Sequence, residues 1–347
     1  MTTTSIAILV SPNSTASGVY GLSDVLSSVG TAWETVVTRS PPSPRFSVRL
    51  VATDKEPFRC ATGGMIAPDA TLDETDSPDV VLVPGISSTP ADSHGDDQDR
   101  TLDWIRARHA HGSRVVSACT GALVLAEAEL LDGKEATTHW AFREHFRKHY
   151  PRVRLCIERN LCQAPDGTVT SGGTTAWQHV ALFLIEHYCG RDYALQAAKF
   201  WLLTDAGDLQ SAYSAVPLPS DHDDSAITEC QMWIRQNYAT ERPVEAMMEI
   251  ADLPPTTFAR RFRRATTYSP IEYVHAIRIE AAKTMLETSA TRIEAIGRAI
   301  GYEDAASFRR LFKRQTGLAP REYRRLFGTH RFAKYEATET RREVRSA

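Results

Sequence analysis

No segment of the chain approaches the roughly 18 consecutive apolar residues that a membrane-spanning helix needs, so no membrane partner is expected. The first residues, MTTTSIAILVSP, carry no basic stretch ahead of their short apolar run and do not read as a secretion signal. The six cysteines (Cys60, Cys119, Cys156, Cys162, Cys189, Cys230) contain no CxxC pair. Without a secretion signal they read as reduced thiols of a cytoplasmic protein. A phosphate-cradling glycine loop is also missing. His145 and His149 are spaced for one helix face beside Glu144, but no third ligand accompanies them. They read as a solvated helix surface, as do His109 and His111. No metal and no cofactor are expected.

What is present suits a soluble globular protein. Hydrophobic residues make up 42% of the 347 positions, enough for two or three domains with separate cores. The net charge of −3 conceals a division. Residues 225–347 hold 22 Lys/Arg against 15 Asp/Glu, whereas residues 1–224 hold 18 against 28. An acidic body with a basic end suggests that only the end meets a polyanion.

That end repeats itself. Ile250, Phe258, Arg260, Phe262, Arg264, Thr266, Pro270, Glu272 and Tyr273 recur 50 residues on as Ile300, Phe308, Arg310, Phe312, Arg314, Thr316, Pro320, Glu322 and Tyr323. A period this long marks a duplicated supersecondary unit. Each copy has a short helix pattern, a turn, and a second helix carrying Arg between two aromatic core positions. That is the layout of a helix-turn-helix.

In the first copy Pro254-Pro255-Thr256-Thr257 opens the second helix, with Thr available to cap its free amides. Phe258 and Phe262, four apart, share the inward face, which sends Thr256, Ala259, Arg260 and Arg263 outward. Arg260 is placed for guanine O6/N7, a contact worth about 1–3 kcal/mol of discrimination. Arg263 and Arg264 suit phosphates, which give affinity and salt dependence but little sequence information. In the second copy Gly301 permits a tight turn and Asp304 is placed as the helix N-cap. Phe308 and Phe312 face inward. Ala305, Ala306, Arg309 and Arg310 face out, with Lys313 and Arg314 near the DNA backbone. Between the copies, residues 270–287 read as one helix about 27 Å long, near the ~34 Å between successive major-groove faces. A helical repeat that binds protein would explain the Phe spacing, but not matching outward arginines in both copies.

Residues 228–327 resemble the C-terminal domain of AraC/XylS-type transcriptional regulators, on the pieces TTFARRFRRATTYSPIEYVHAIRIEAAKTMLE and AIGRAIGYEDAASFRRLFKRQTGLAPREYRR. The resemblance implies a regulator of transcription, activator or repressor, with base readers at Thr256, Ala259 and Arg260, and at Ala305, Ala306, Arg309 and Arg310. Thr257, Arg263, Lys313 and Arg314 complete the expected DNA contacts. The first unit departs from the family pattern at Asp252-Leu253-Pro254-Pro255, and in its small Ala259.

The first ~200 residues alternate strand and helix signals. Residues 6–10, 46–52, 80–83, 114–118 and 169–170 read as strands. Residues 22–29, 102–110, 121–131 (closed by Gly133) and about 175–188 read as helices. This implies an α/β flavodoxin-like sandwich, a mostly parallel sheet covered on both faces, ahead of an all-α domain with two helix-turn-helix units. Asp, Ser and Pro enrichment near 205–224 reads as an extended linker. The expected boundaries are 1–205 for ligand sensing and dimerisation, 206–226 for the linker, 227–327 for DNA binding, and 328–347 for a charged tail.

Within the sandwich, Ser117-Ala118-Cys119-Thr120-Gly121 follows a strand with the spacing of a nucleophile elbow, whose tight turn needs small residues two before and two after the nucleophile. A Cys there meets a helix N-terminus, whose dipole lowers the thiol pKa. His139 is the candidate base, and Gly85 and Ile86 offer backbone amides for an oxyanion. The same Cys could equally be a small buried hydrophobe, and the His a pocket wall or core residue.

CTGALVLAEAELLDGKEATTHW and TSGGTTAWQHVALFLIEHYCGRD resemble the class I glutamine amidotransferase-like fold of the PfpI group, as found at the front of GlxA-type AraC regulators. This chain departs from PfpI-type hydrolases at three points. Residues 13–19 hold no acid, with Gly18 near the usual Glu position; Thr120 replaces the usual His after the Cys; Gln178 replaces an Asp. These losses favour a pocket that binds, formed by Gly85, Ile86, Cys119, Thr120, His139 and Trp140, with no catalytic residue. The alternative is a hydrolase or hydratase using Cys119 and His139 with an appended DNA module. The resemblance implies a small amino acid or quaternary-ammonium effector, a double-stranded DNA operator, RNA polymerase, and a second copy bound through the front domain. Trp140, Trp177 and Trp201 could serve a cation site or the core.

Overall fold

The computed structural model describes residues 3–87, 96–203, 210–214 and 222–328. Residues 206–209 and 215–221 of the expected linker, and the expected tail from 329 onward, lie outside the described residues. The chain divides into two compact units, Met1–Ser211 and Ala212–Ala347.

The strands of the first unit are β1 (Thr4–Leu9), β2 (Phe46–Ala52), β3 (Phe58–Arg59), β4 (Met65–Ile66), β5 (Ala70–Thr71), β6 (Val80–Val83), β7 (Arg114–Ala118), β8 (Glu135–Ala136), β9 (Arg154–Leu155), β10 (Leu161–Gln163) and β11 (Val169–Ser171). Its main helices are α1 (Ala16–Ser27), α2 (Asp96–Ala110), α3 (Gly121–Glu127), α4 (Arg143–His149), α5 (Trp177–Cys189) and α6 (Arg191–Trp201). One sheet runs in the order β10-β11-β7-β6-β1-β2-β5, parallel except where β10 meets β11.

The sheet is covered on both faces, so its strands are apolar on both sides. In β1, Ile6 and Ile8 pack with Val19, Leu22 and Leu26 of α1 and Val180 and Leu184 of α5. Ala7 and Leu9 point the other way, toward Ile105 of α2 and Leu123 of α3. All four residues of β6 are buried.

Two helix boundaries differ from expectation. Helix α1 starts at Ala16, not 22, because Gly18 and Gly21 hide its period. A Cβ at Gly21 would sit 2.9 Å from the Trp177 ring, so that glycine serves a close helix approach. Helix α3 ends at Glu127, not 131. Glu129 supplies the left-handed turn, at φ 59°, ahead of Gly133. Gln210–Tyr213, inside the expected extended linker, forms a helical turn, α7. There the buried Gln210 side chain donates to the Ile157 carbonyl at 2.6 Å.

The second unit comprises α8 (Ser225–Asn237), α9 (Pro243–Ala251), α10 (Pro255–Thr266), α11 (Pro270–Thr288), α12 (Ile293–Ala299), α13 (Ala305–Thr316) and α14 (Pro320–Phe327). Helices α9, α10 and α11 begin 50 residues before α12, α13 and α14 respectively. The repeat extends to hydrogen bonds. Thr266 and Thr316 are buried and donate to the carbonyls of Phe262 and Phe312 at 2.7 and 2.8 Å. Each also accepts an amide two residues on, from Tyr268 and Leu318, at 3.2 Å. Glu272 and Glu322 close the starts of α11 and α14 by accepting the amides of Ser269 and Ala319 at 2.9 and 2.8 Å.

Helix α11 belongs to both copies. Tyr273, Val274 and Ile277 pack with Phe258 and Phe262, while Ile279, Ala282 and Leu286 pack with Phe308 and Phe312. Its Arg278 is 6% exposed and donates to the carbonyls of Tyr238, Thr240 and Gly301 at 2.7, 2.8 and 3.0 Å.

Candidate nucleic-acid interface and ligand pocket

On α10 and α13 the pairs Phe258/Phe262 and Phe308/Phe312 are fully buried. Thr256, Ala259, Arg260, Arg263 and Arg264 are exposed on α10, and Thr257 is half-buried. On α13, Ala306, Arg309, Arg310, Lys313 and Arg314 are exposed, and Ala305 is half-buried. The two starts differ. Helix α10 begins with Pro254 as its N-cap and Pro255 at its first position, with no capping side chain, so the expected Thr cap is absent. In α13 Asp304 accepts the amides of Ala306 and Ser307 at 3.0 and 2.9 Å. The Ser307 hydroxyl and these amides hold its carboxyl below the usual carboxylate range.

Arg260, Arg264, Lys313 and Arg314 make no ion pair among the described residues. Arg310 bonds the Ser307 hydroxyl at 2.9 Å and lies 3.8 Å from Asp304. Arg309 pairs with Glu294 of α12, and Arg263 lies 3.9 Å from Glu272. Exposed pairs of this kind are worth about 0–1 kcal/mol and exchange readily for phosphate or base contacts. A residue that sequence reasoning passed over is Arg261. It forms a two-pronged pair with Asp224, the N-cap of α8, at 2.9 and 2.7 Å, and so fixes α10 against α8.

In the first unit β7 runs into α3 through Cys119, whose φ is 56°. That strained, left-handed turn is the backbone of an elbow. A Cβ on Gly121 would lie 2.4 and 2.6 Å from the carbonyl oxygens of Val83 and Pro84. Gly121→Ala is therefore expected to destabilise the first unit by about 2–4 kcal/mol, read as a lowered urea midpoint. An unchanged midpoint would mean the elbow is looser than described.

The thiol itself corrects an expectation. Cys119 is 7% exposed. Burial pushes its pKa up, past the lowering from hydrogen bonds with Thr120 and Thr174. Desolvation outweighs the dipole of a helix only seven residues long. The Ile86 amide also differs from expectation. It donates to the Thr120 hydroxyl at 2.8 Å, and that hydroxyl donates to the Ile86 carbonyl at 2.5 Å. Thr120 thus occupies the amide that an oxyanion would need.

Gly85, Ile86, Cys119, Thr120 and His139 meet at one cavity of about 220 Å³. Thr15, Gly18, Phe142, Thr174 and Trp177 help complete its wall. Gly18 leaves that wall without the carboxylate typical of PfpI-type hydrolases. Trp140 lies outside the lining, its ring 5.3 Å from that of His139. Trp201 is elsewhere, donating to Ser28 at 2.9 Å. His139 accepts the Ala141 amide on Nδ1 at 3.2 Å, and burial lowers its pKa, so the neutral ring is favoured. Among the described residues it makes no hydrogen bond to the Cys119 thiol.

A tandem helix-turn-helix carried on the same chain as an α/β unit with a cavity at its elbow defines a ligand-sensing, DNA-binding transcription regulator of the AraC/XylS type. A helix-turn-helix domain family matches residues 247–326, and the DJ-1/PfpI family matches residues 5–187. The chain belongs to the DJ-1/PfpI family, in the arrangement found in GlxA-type regulators.

It is 24% identical to the HTH-type transcriptional regulator CdhR of Pseudomonas aeruginosa, over 79% of this chain and 80% of that protein. It is 27% identical to GlxA of Rhizobium meliloti, over 65% and 72%. Isonitrile hydratase of Pseudomonas putida is 34% identical over 44% of this chain, a match that spans 63% of the hydratase. A solved structure from Vibrio parahaemolyticus superposes on 57% of this chain and 99% of its own, with a TM-score of 0.50 and 22% identity, which supports the fold. Among the described residues, no helix is long and apolar enough to cross a membrane.

Proposed function

We propose that α10 and α13 enter successive major grooves of one operator. Thr256, Ala259 and Arg260 read the first stretch, with Thr257 a further DNA contact, and Ala305, Ala306, Arg309 and Arg310 read the second. Arg263, Lys313 and Arg314 hold phosphates. The observation that carries this reading is the exposure of matching guanidinium groups on both helices, opposite matching buried Phe pairs.

The Cys119 cavity takes the effector. Its aromatic wall of Phe142 and Trp177 suits a small amino acid or a quaternary ammonium compound. In this reading, residues 1–205 sense and dimerise, 206–226 link, and 227–327 bind DNA. The protein works in the cytoplasm, with RNA polymerase as a further partner at the promoters it controls.

A second reading, a hydratase using Cys119 and His139, is favoured by the elbow backbone and by the likeness to isonitrile hydratase. The raised thiol and the occupied Ile86 amide count against it. At pH 8 the Cys119 thiol is expected to alkylate more slowly than free cysteine, because it is buried and less of it is thiolate. Peptide mass mapping after a timed iodoacetamide pulse measures this. Cys119→Ser should keep ligand-dependent control of a reporter gene. A fast thiol together with turnover of an isonitrile would establish the hydratase reading instead.

A further inference from the structure

The first unit holds a larger cavity that the Cys119 pocket does not use. Its volume is about 380 Å³, and it lies at the carboxyl ends of three neighbouring strands: Leu9 and Val10 beyond β1, Ala52 of β2, and Val83 of β6. Here the chain reverses its direction of travel across the sheet. From β1 the chain crosses through α1 to β2 on one side, whereas β6 leads through α2 to β7 on the other. In open α/β sheets the crevice at such a reversal is where ligands bind.

We propose that this cavity is a second small-molecule site, for a compact apolar monocation such as an alkylammonium ion. The interior is apolar, with Phe58, Leu102 and Val124 among its walls. Among the described residues the charge on its lining has one sign: Asp54, Glu56 and Asp97 line it, with no Lys, Arg or His. None of the three is fully neutralised. Among the described residues Asp54 accepts only the Glu56 amide, at 2.8 Å. Asp97 lies 3.9 Å from Arg100, which also reaches Asp73 at 3.2 Å. Glu56 makes no ion pair among the described residues. An ammonium group is attracted here, and a ligand carboxylate is repelled.

The site differs from the Cys119 pocket yet shares a wall with it. Pro84 and Ile86 line the larger cavity, while Gly85 and Ile86 line the smaller. The Thr120–Ile86 hydrogen bonds and the bridge between Ser14 and Ile86 hold this partition in place. Binding can be read directly, so the test does not depend on what occupies the Cys119 pocket.

The test is calorimetric titration of the full chain with hexylammonium and, separately, with hexanoate. Hexylammonium should bind saturably at one site and hexanoate should not. Thr101→Trp, on the wall contributed by α2, should abolish the heat. The double variant Asp54→Asn/Glu56→Gln, at exposed positions that tolerate change, should weaken binding about tenfold. Thr174→Trp, in the wall of the Cys119 pocket, should leave it unchanged. Equal binding of hexanoate, undiminished binding to Thr101→Trp, loss of binding in Thr174→Trp, or no saturable heat at all would each overturn the proposal.

Discussion

Arg310→Ala should weaken binding to the native operator by about 1–3 kcal/mol, roughly 5- to 150-fold, while relaxing base preference at one position. Arg310 stands exposed on α13, tethered among the described residues only by Ser307 at 2.9 Å and Asp304 at 3.8 Å, so its guanidinium can leave both for a guanine edge. Lys313→Ala makes the contrast. It should weaken every DNA sequence alike and lower the salt slope by about one unit, because a phosphate contact releases counterions without reading a base. Binding selections at two salt concentrations separate the two outcomes. If both variants bind operator like the parent, α13 does not lie in the groove as described.

Arg278→Ala should cost about 3–5 kcal/mol, enough to unfold much of a marginal domain. One guanidinium satisfies three carbonyls from two places: Tyr238 and Thr240 between α8 and α9, and Gly301 in the turn of the second helix-turn-helix. It also lies 5.1 Å from the centre of the Tyr302 ring. Removing it strands those carbonyls and leaves a void between the halves. Gly301 is bound to the same device, since a Cβ there would lie 2.7 Å from Arg278 Nη2 and 2.8 Å from the Ala239 carbonyl oxygen. Arg278→Lys should recover only part of the loss, because one ammonium cannot reach three carbonyls in that geometry. Urea unfolding measures both variants. A loss below about 1 kcal/mol for Arg278→Ala would show that the halves are held by apolar packing alone.

How far the sequence predicts these features depends on whether a signal is local. β2, β6 and β7 fall where expected because each is a β-branched or apolar run closed by turn residues, or runs straight into the elbow. The second helix-turn-helix was visible because a repeat supplies its own control, and α10 and α13 start 50 residues apart. Even so, the two turns differ. The first places positive φ at Asp252, and the second at Gly301, which aligns with Ala251.

What stayed hidden depends on distant partners. Arg278 and Lys283 are charged residues inside a helix pattern and look like surface positions. Both are buried because they reach backbone carbonyls 23 to 69 residues away, Lys283 donating to Ser214 at 2.6 Å. Gln210 sits in a stretch that looked like a linker, yet it is 4% exposed. In the elbow the spacing around Cys119 was legible, but the burial that raises its thiol was not, since burial comes from residues far along the chain. The double hydrogen bond between Thr120 and Ile86 spans 34 residues and leaves no local mark.

The central claim is that two matched helices grip one operator at neighbouring turns. Hydroxyl-radical footprinting of the full chain on its operator tests this most directly. The expected result is two protected segments on one face of the duplex, about 10 base pairs apart, with Arg260→Ala opening the first and Arg310→Ala the second. A single protected segment, or two that survive both substitutions, would contradict it.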